Sequence, residues 1–70
     1  MEKLIIKTDY ILLGQFLKYA GIISNGGQSK MFLAENSVKI NGIIDQRRGK
    51  KLFPGDIVEV LGQKYEILMN

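Results

Sequence analysis

The chain has 70 residues and a mass of 7.9 kDa, enough for a single small domain over residues 1–70 and not for two. Apolar residues make up 46% and charged residues 24%, which is typical of a globular protein and not of a disordered one. Neither Cys nor His is present, which excludes disulfides, thiol chemistry, imidazole catalysis and metal sites built on these ligands. We therefore expect a protein that is not an enzyme and needs no cofactor and no metal.

The sequence offers no membrane or export signal. No apolar run approaches the roughly 20 residues that a helix needs to cross a bilayer. The first residues, Met1-Glu2-Lys3, do not begin a charged and then apolar secretory signal. The expected location is the cytoplasm, without a membrane partner.

The positive charge is concentrated in one short segment. Residues 1–46 have a net charge of +1 and residues 52–70 a net charge of −2, whereas Arg47-Arg48-Gly49-Lys50-Lys51, here called the basic run, carries +4. Such a run attracts polyanions. A solvated loop that only aids solubility would have the same composition, so the charge alone leaves both interpretations open.

The first half of the chain reads as a strand followed by two helices. Lys3–Lys7 is a short apolar segment with charged ends, typical of a strand. Thr8-Asp9 offers a helix N-cap, although a start near Leu12 fits the spacing better. Gly21 is the expected C-cap of this helix. Its apolar residues recur at helical spacing, namely Leu13, Phe16, Leu17 and Ala20.

The second helix follows a buried connector at Ile22-Ile23. Ser24-Asn25 opens it, and Gln28, three residues after Asn25, completes a capping-box pattern. The helix should end near Glu35-Asn36. Its buried side is predicted to consist of Ser29, Phe32 and Leu33.

From residue 38 the apolar period changes from helical to two, which predicts strands. Val38-Lys39-Ile40 and Ile43-Ile44 flank Asn41-Gly42, a type I′ hairpin signal. Phe53-Pro54-Gly55-Asp56 is a turn by composition. The last two strands, Ile57–Leu61 and Lys64–Leu68, should be joined at Gly62-Gln63. The expected fold class is α+β, with two helices packed on a small antiparallel sheet.

Four segments together resemble the S4 RNA-binding domain. They are Gln15-Phe16-Leu17-Lys18-Tyr19-Ala20-Gly21, Ser24, Val38-Lys39-Ile40-Asn41-Gly42 and Gly55-Asp56-Ile57-Val58-Glu59-Val60. No single segment is specific, but the ordered set at these spacings is, and it covers about residues 10–61. The pattern is most similar to small stand-alone bacterial S4 proteins implicated in ribosome assembly. Their motifs are matched by Gly26-Gly27-Gln28-Ser29-Lys30 and by Asn41 to Leu52.

One residue departs from the wider family. Gly26 stands where S4 domains usually carry an Arg that touches phosphate. The family's phosphate contact can be kept here only if Lys30, Arg47 and Arg48 supply the charge instead.

The resemblance implies the α-L arrangement of S4 domains. It also implies that RNA would lie on the second helix, the turn before it and the following hairpin. Gly26 and Gly27 lack a Cβ, so a phosphate could approach their backbone closely. Arg47 and Arg48 could clamp phosphates with planar forks, and Lys50 and Lys51 would act as point charges. Asn41 is expected mainly to form the turn and only secondarily to contact RNA. The full set of expected RNA-binding residues is Ser24, Asn25, Gly26, Gly27, Gln28, Lys30, Lys39, Asn41, Arg47, Arg48, Lys50 and Lys51.

The leading hypothesis is a monomeric, non-enzymatic protein that binds structured RNA, in particular ribosomal RNA, during ribosome assembly or as a ribosome-associated factor. The alternative is a protein-interaction adaptor that uses the same basic surface against an acidic partner. The aromatic residues are expected in the core or at its rim and not as platforms for bases, Tyr10, Tyr19, Phe53 and Tyr65 included.

Overall fold

A computed structural model describes residues 1–70. Two α-helices are present, α1 at Leu13–Tyr19 and α2 at Ser29–Glu35, and a short 3₁₀ helix at Gly26–Gln28 leads directly into α2. The seven strands are β1 (Glu2–Ile6), β2 (Ile11–Leu12), β3 (Val38–Ile40), β4 (Ile43–Ile44), β5 (Lys51–Leu52), β6 (Ile57–Val60) and β7 (Gln63–Met69).

Five of the strands form one sheet in the order β1-β7-β6-β3-β4. The neighbours β7-β6, β6-β3 and β3-β4 are antiparallel, whereas β1 and β7 are parallel, with Leu4 opposite Ile67. The predicted α+β class is confirmed, but the sheet is mixed and not purely antiparallel. Alternation of apolar residues shows which face of a strand is buried and does not show which strand is its neighbour.

The core lies between the helices and one face of this sheet. Phe16 and Leu17 of α1 and Leu33 of α2 are almost completely buried, as the helical spacing predicted. The sheet contributes alternate residues, and the side chains between them, such as Lys39, face away from the core. The buried sheet residues are Ile6, Val38, Ile40, Val58, Val60 and Ile67.

The ends of α1 are formed differently from each other. At its start the N-cap is Leu12, not Thr8-Asp9, and the Gln15 Oε1 accepts a hydrogen bond from the Leu12 backbone N–H at 2.9 Å. At its end Gly21 adopts a φ of +77° while its N–H donates to the Lys18 carbonyl. The C-cap residue is Ala20, one position before the predicted Gly21, and Gly21 is the left-handed glycine that follows it and ends the helix.

A second, two-stranded sheet was not predicted. Ile11 pairs with Leu52 and Leu12 with Lys51, in antiparallel register. Both Ile11 and Leu52 are buried. Two-residue strands have too little periodicity to be read from sequence, so the end of the basic run looked like a loop.

The tight turns follow the glycine signals, with one shift. Asn41 and Gly42 both have positive φ, as a type I′ hairpin requires, and Ile40 pairs with Ile43. The loop between β6 and β7 is Leu61-Gly62 and not Gly62-Gln63, because Val60 pairs with Gln63. Leu61 there adopts a φ of +51°, which is uncommon for a branched residue and could not be expected from its type.

Neither helix has the length and apolar character that crossing a lipid bilayer requires.

Candidate nucleic-acid interface

The basic run is attached to the start of α1 by backbone hydrogen bonds. The N–H of Leu13 donates to the Lys50 carbonyl at 2.8 Å, and the N–H of Gly14 donates to the Arg48 carbonyl at 2.9 Å. The first N–H groups of a helix have no partner within the helix, so these carbonyls satisfy two of them. The bonds fix the path of the run beside α1.

Gly14 permits this close approach. A Cβ at Gly14 would lie 3.2 Å from the Ser29 Oγ and 3.4 Å from the Arg48 carbonyl oxygen. Ser29 is buried, and its hydroxyl donates to the Gly26 carbonyl at 2.8 Å. Gly14 is therefore the point at which α1, the first residue of α2 and the basic run meet.

An open groove of about 380 Å³ lies around this junction; we call it the basic groove. Two cationic residues line it, Arg48 from the basic run and Lys18 from α1. Sequence reasoning did not select Lys18, although its position outside the apolar stripe of α1 already indicated an exposed side chain. The groove is lined by Leu12, Gly14, Gln15, Lys18, Tyr19, Gly26, Ser29, Arg48 and Gly49.

Arg48 and Gly26 line the same groove, although 22 positions separate them in sequence. A Cβ at Gly26 would meet no other atom within 4 Å, so the backbone of this residue is open to the groove. This geometry bears on the Arg that S4 domains usually carry at the position of Gly26. The arginine that lines the groove belongs to the basic run, and position 26 contributes only its backbone.

Arg47, in contrast, is engaged by an acidic neighbour. Its Nη2 lies 2.7 Å from the Asp45 Oδ2, its Nε donates to the Asp45 Oδ1 at 3.1 Å, and its backbone N–H donates to the same oxygen. The hydrogen bond from Arg47 lowers the pKa of Asp45, and Asp45 in turn raises the pKa of Arg47. The formal charge of the basic run is thus partly neutralised by a residue just outside it.

The two lysines of the run have different surroundings. The Lys51 Nζ lies 4.8 Å from the centroid of the Tyr10 ring, within cation–π distance. Lys50 is half-buried, and its backbone closes a turn with the Arg47 carbonyl. Of the four cationic residues of the run, only Arg48 lines the basic groove.

The residues before α2 form a compact turn around one amide side chain. The Gln28 Oε1 accepts hydrogen bonds from the Ser24 N–H, the Ser24 hydroxyl and the Asn25 N–H. The Gln28 half of the predicted capping box is therefore made, while the Asn25 side chain makes no cap bond. Ser24, Gly27 and Gln28 line a separate groove of about 470 Å³ together with Met31 and other residues of α2.

The remaining predicted residues do not line the basic groove. Lys30 is exposed on α2, and Lys39 lies on the outer face of the sheet, opposite Glu59 in register. The Asn41 side chain is used within the fold: its Nδ2 donates to the Asp56 Oδ1 at 3.0 Å, and its Oδ1 accepts from the Ile57 N–H at 2.9 Å. Asn41 thus ties one hairpin to the turn before β6.

Comparison with known proteins identifies relatives over most of the chain. A "Probable ribosome maturation protein RlbA" from Bacillus subtilis (strain 168) is 53% identical over 57 residues, which cover 81% of this chain and 80% of the relative. A "Putative RNA-binding protein YbcJ" from Escherichia coli (strain K12) is 29% identical over 62 residues, 89% of each chain. A protein from Shigella flexneri with the same identity and coverage is described as "Uncharacterized protein YbcJ".

A family model described as "S4 domain" matches residues 4–68. This range contains both helices, the basic run and all but the ends of the first and last strands. The motifs quoted from the sequence and the two-helix, mixed-sheet fold agree with that match. The chain belongs to the S4 domain family.

Proposed function

We propose that this protein binds structured RNA without catalysing a reaction, that its target is ribosomal RNA, and that it acts in ribosome maturation in the cytoplasm. Membership of the S4 family supports RNA binding. The relative described as a probable ribosome maturation protein, 53% identical to this chain, supports the ribosomal target. In this proposal the protein acts as a monomer and needs no cofactor.

The observation that carries the proposal is the attachment of the basic run to the start of α1. The bonds to the Arg48 and Lys50 carbonyls hold the backbone of the run, so its side chains are presented from a fixed frame. Arg48 and Lys18 then border one groove beside the open backbone of Gly26. Two cations around such a groove suit the phosphates of a folded RNA backbone.

Selectivity in the proposed mechanism comes from shape. Folded RNA is recognised mainly through its backbone and its irregular loops, because the deep groove of A-form helices hides the base edges. In the proposed complex Arg48 and Lys18 hold phosphates in the basic groove, and Lys30, Lys50 and Lys51 add attraction from around it. If four to six groups neutralise phosphates, the slope of log K against log salt is expected to be roughly −3 to −5.

Ultraviolet crosslinking in cells, followed by sequencing of the attached RNA, tests this proposal. Reads concentrated on one ribosomal RNA element are expected for the wild type and for Lys3→Ala, a control on β1 that lies outside the basic groove. The double variant Lys18→Ala/Arg48→Ala should lose that peak. Diffuse reads, or none, from a folded wild-type protein would instead favour an adaptor that binds an acidic protein.

A further inference from the structure

The three tyrosines have different surroundings. The Tyr65 ring packs edge-on against Phe16 with centroids 5.2 Å apart, and the Tyr10 ring packs against Phe53 at 5.7 Å and also has the Lys51 Nζ over it. Tyr19, at the end of α1, is 60% exposed and has no aromatic or cationic partner on its ring. The expectation that the tyrosines lie in the core or at its rim therefore does not describe Tyr19.

Tyr19 stands between two grooves. On one side it lines the basic groove together with Lys18 and Arg48. On the other side it lines a larger groove of about 710 Å³, in which six of the ten lining residues are hydrophobic, among them Ile5 and Tyr10, and two, Lys7 and Asp9, are charged. The residues that border both grooves are Leu12, Gln15 and Tyr19.

A nucleotide has one chemical group that suits each of these two adjoining grooves. Its phosphate is anionic, and its base is a flat aromatic ring that stacks on an aromatic side chain when it is not paired. We infer that Tyr19 stacks an unpaired nucleobase of the bound RNA, with the base in the larger groove, against its hydrophobic residues, and the neighbouring phosphate in the basic groove. This inference rests on the proposed function and adds a binding residue to it.

Gln15 lies on the wall that the two grooves share and suits this arrangement. Its Oε1 accepts a hydrogen bond from the Leu12 N–H at 2.9 Å, and this bond fixes the side chain. Its amide nitrogen makes no hydrogen bond within the chain. The nitrogen is a donor available to a base or a sugar at the border of the grooves. An apolar side chain of a protein partner would leave this donor and both cations unmatched, so an unpaired nucleotide is the better occupant.

The test compares two RNAs: a blunt duplex of about 16 base pairs and the same duplex with a short single-stranded extension. The wild type should bind the extended RNA more tightly. Tyr19→Leu, which keeps an apolar side chain but removes the ring, should weaken binding of the extended RNA by about 5- to 100-fold. It should leave duplex binding within about twofold, because duplex binding depends on phosphates.

Tyr19→Phe is the matched control, because it keeps the ring and should retain the preference for the extended RNA. Thermal melting of each variant verifies the fold, which an exposed side chain should affect little. Equal affinity of the wild type and Tyr19→Leu for the extended RNA would overturn the stacking role while leaving the proposed function intact. If the wild type bound neither RNA, the proposed function itself would fail, and the inference with it.

Discussion

Asp45 and Arg47 form a two-bond ion pair at the entrance to the basic run, with 2.7 Å between Oδ2 and Nη2 and 3.1 Å between Oδ1 and Nε. The Arg47 side chain is 70% exposed, whereas that of Asp45 is 13% exposed. A carboxylate so close to the arginine competes with any phosphate for the same donors. The pair therefore limits how strongly Arg47 can contribute to RNA binding.

Asp45→Asn is expected to increase the affinity for purified ribosomal RNA by about two- to fivefold, because it frees Arg47 and removes a negative charge. An Asn Oδ1 can still accept the bond from the Arg47 backbone N–H, so the turn should persist. The salt dependence, measured by filter binding, should steepen by about 0.7 to 0.9 for one additional phosphate contact. A loss of affinity would mean that Asp45 orients Arg47 for binding.

The same pair gives the stability a dependence on acid. Arg47 lowers the pKa of Asp45 in the folded state, so the pair stabilises the fold above the unfolded-state pKa of about 4. This contribution should disappear as the pH falls through the lowered pKa of Asp45. The difference in the free energy of unfolding between wild type and Asp45→Asn should be constant above about pH 5 and shrink below pH 4, as denaturant titrations would measure. A difference that stayed unchanged in acid would contradict the pair's role.

Arg48→Ala should weaken binding of purified ribosomal RNA more than Arg47→Ala does. Arg48 lines the basic groove, whereas Arg47 is held by Asp45, so we expect losses of about tenfold and about twofold respectively. The double variant should lose at least about tenfold without unfolding, and Lys3→Ala should stay within about twofold. Equal losses of affinity from the two single substitutions would contradict this ranking, because Arg48 would then contribute no more to binding than Arg47.

Gly26→Arg tests whether Arg48 replaces the arginine that S4 domains usually carry. The position of the Gly26 Cβ is open, so the longer side chain fits. Introduced into Arg48→Ala, it should restore most of the lost affinity, whereas in the wild type it should add much less, because one groove then holds both guanidiniums. Additive effects in this double-mutant cycle would mean that the two arginines serve separate phosphates.

Gly21→Ala should lower the free energy of unfolding by about 1 kcal/mol, because alanine is strained at a φ of +77°. For a domain of this size the midpoint of thermal unfolding should fall by about 4 to 8 °C. Gly49→Ala is the matched control: its Cβ would meet no atom within 4 Å, and Gly49 has no positive φ. The prediction fails if both substitutions shift the midpoint equally.

Asn41→Ala should act on stability and not on RNA affinity. The substitution removes the bonds to Asp56 and to the Ile57 N–H and strains a φ of +52°, at an expected cost of about 1 to 2 kcal/mol. Asn41→Gly, which tolerates that φ, should cost less. Denaturant unfolding measures the cost. Weakened RNA binding by the folded Asn41→Gly would instead assign the side chain a direct role.

The sequence by itself determined the presence of two helices, the buried face of α1, the Asn41-Gly42 hairpin and the family. Leu13, Phe16 and Leu17 mark the buried face of α1, and Asn41-Gly42 marks a hairpin, because these signals act within a few residues of each other. The concentration of positive charge in the basic run was equally local. The family membership followed from the order and spacing of such short motifs, and the match over residues 4–68 agrees with it.

Only the tertiary structure decided which residues surround the groove. The parallel pairing of β1 with β7, the contact of Gly14 with Arg48, the pairing of Arg47 with Asp45 and the exposure of Tyr19 all depend on how the elements are packed. Periodicity shows that a residue faces outward but does not show what lies beside it. Lys18 and Arg48 are 30 positions apart and border one groove only because backbone hydrogen bonds hold the basic run against α1.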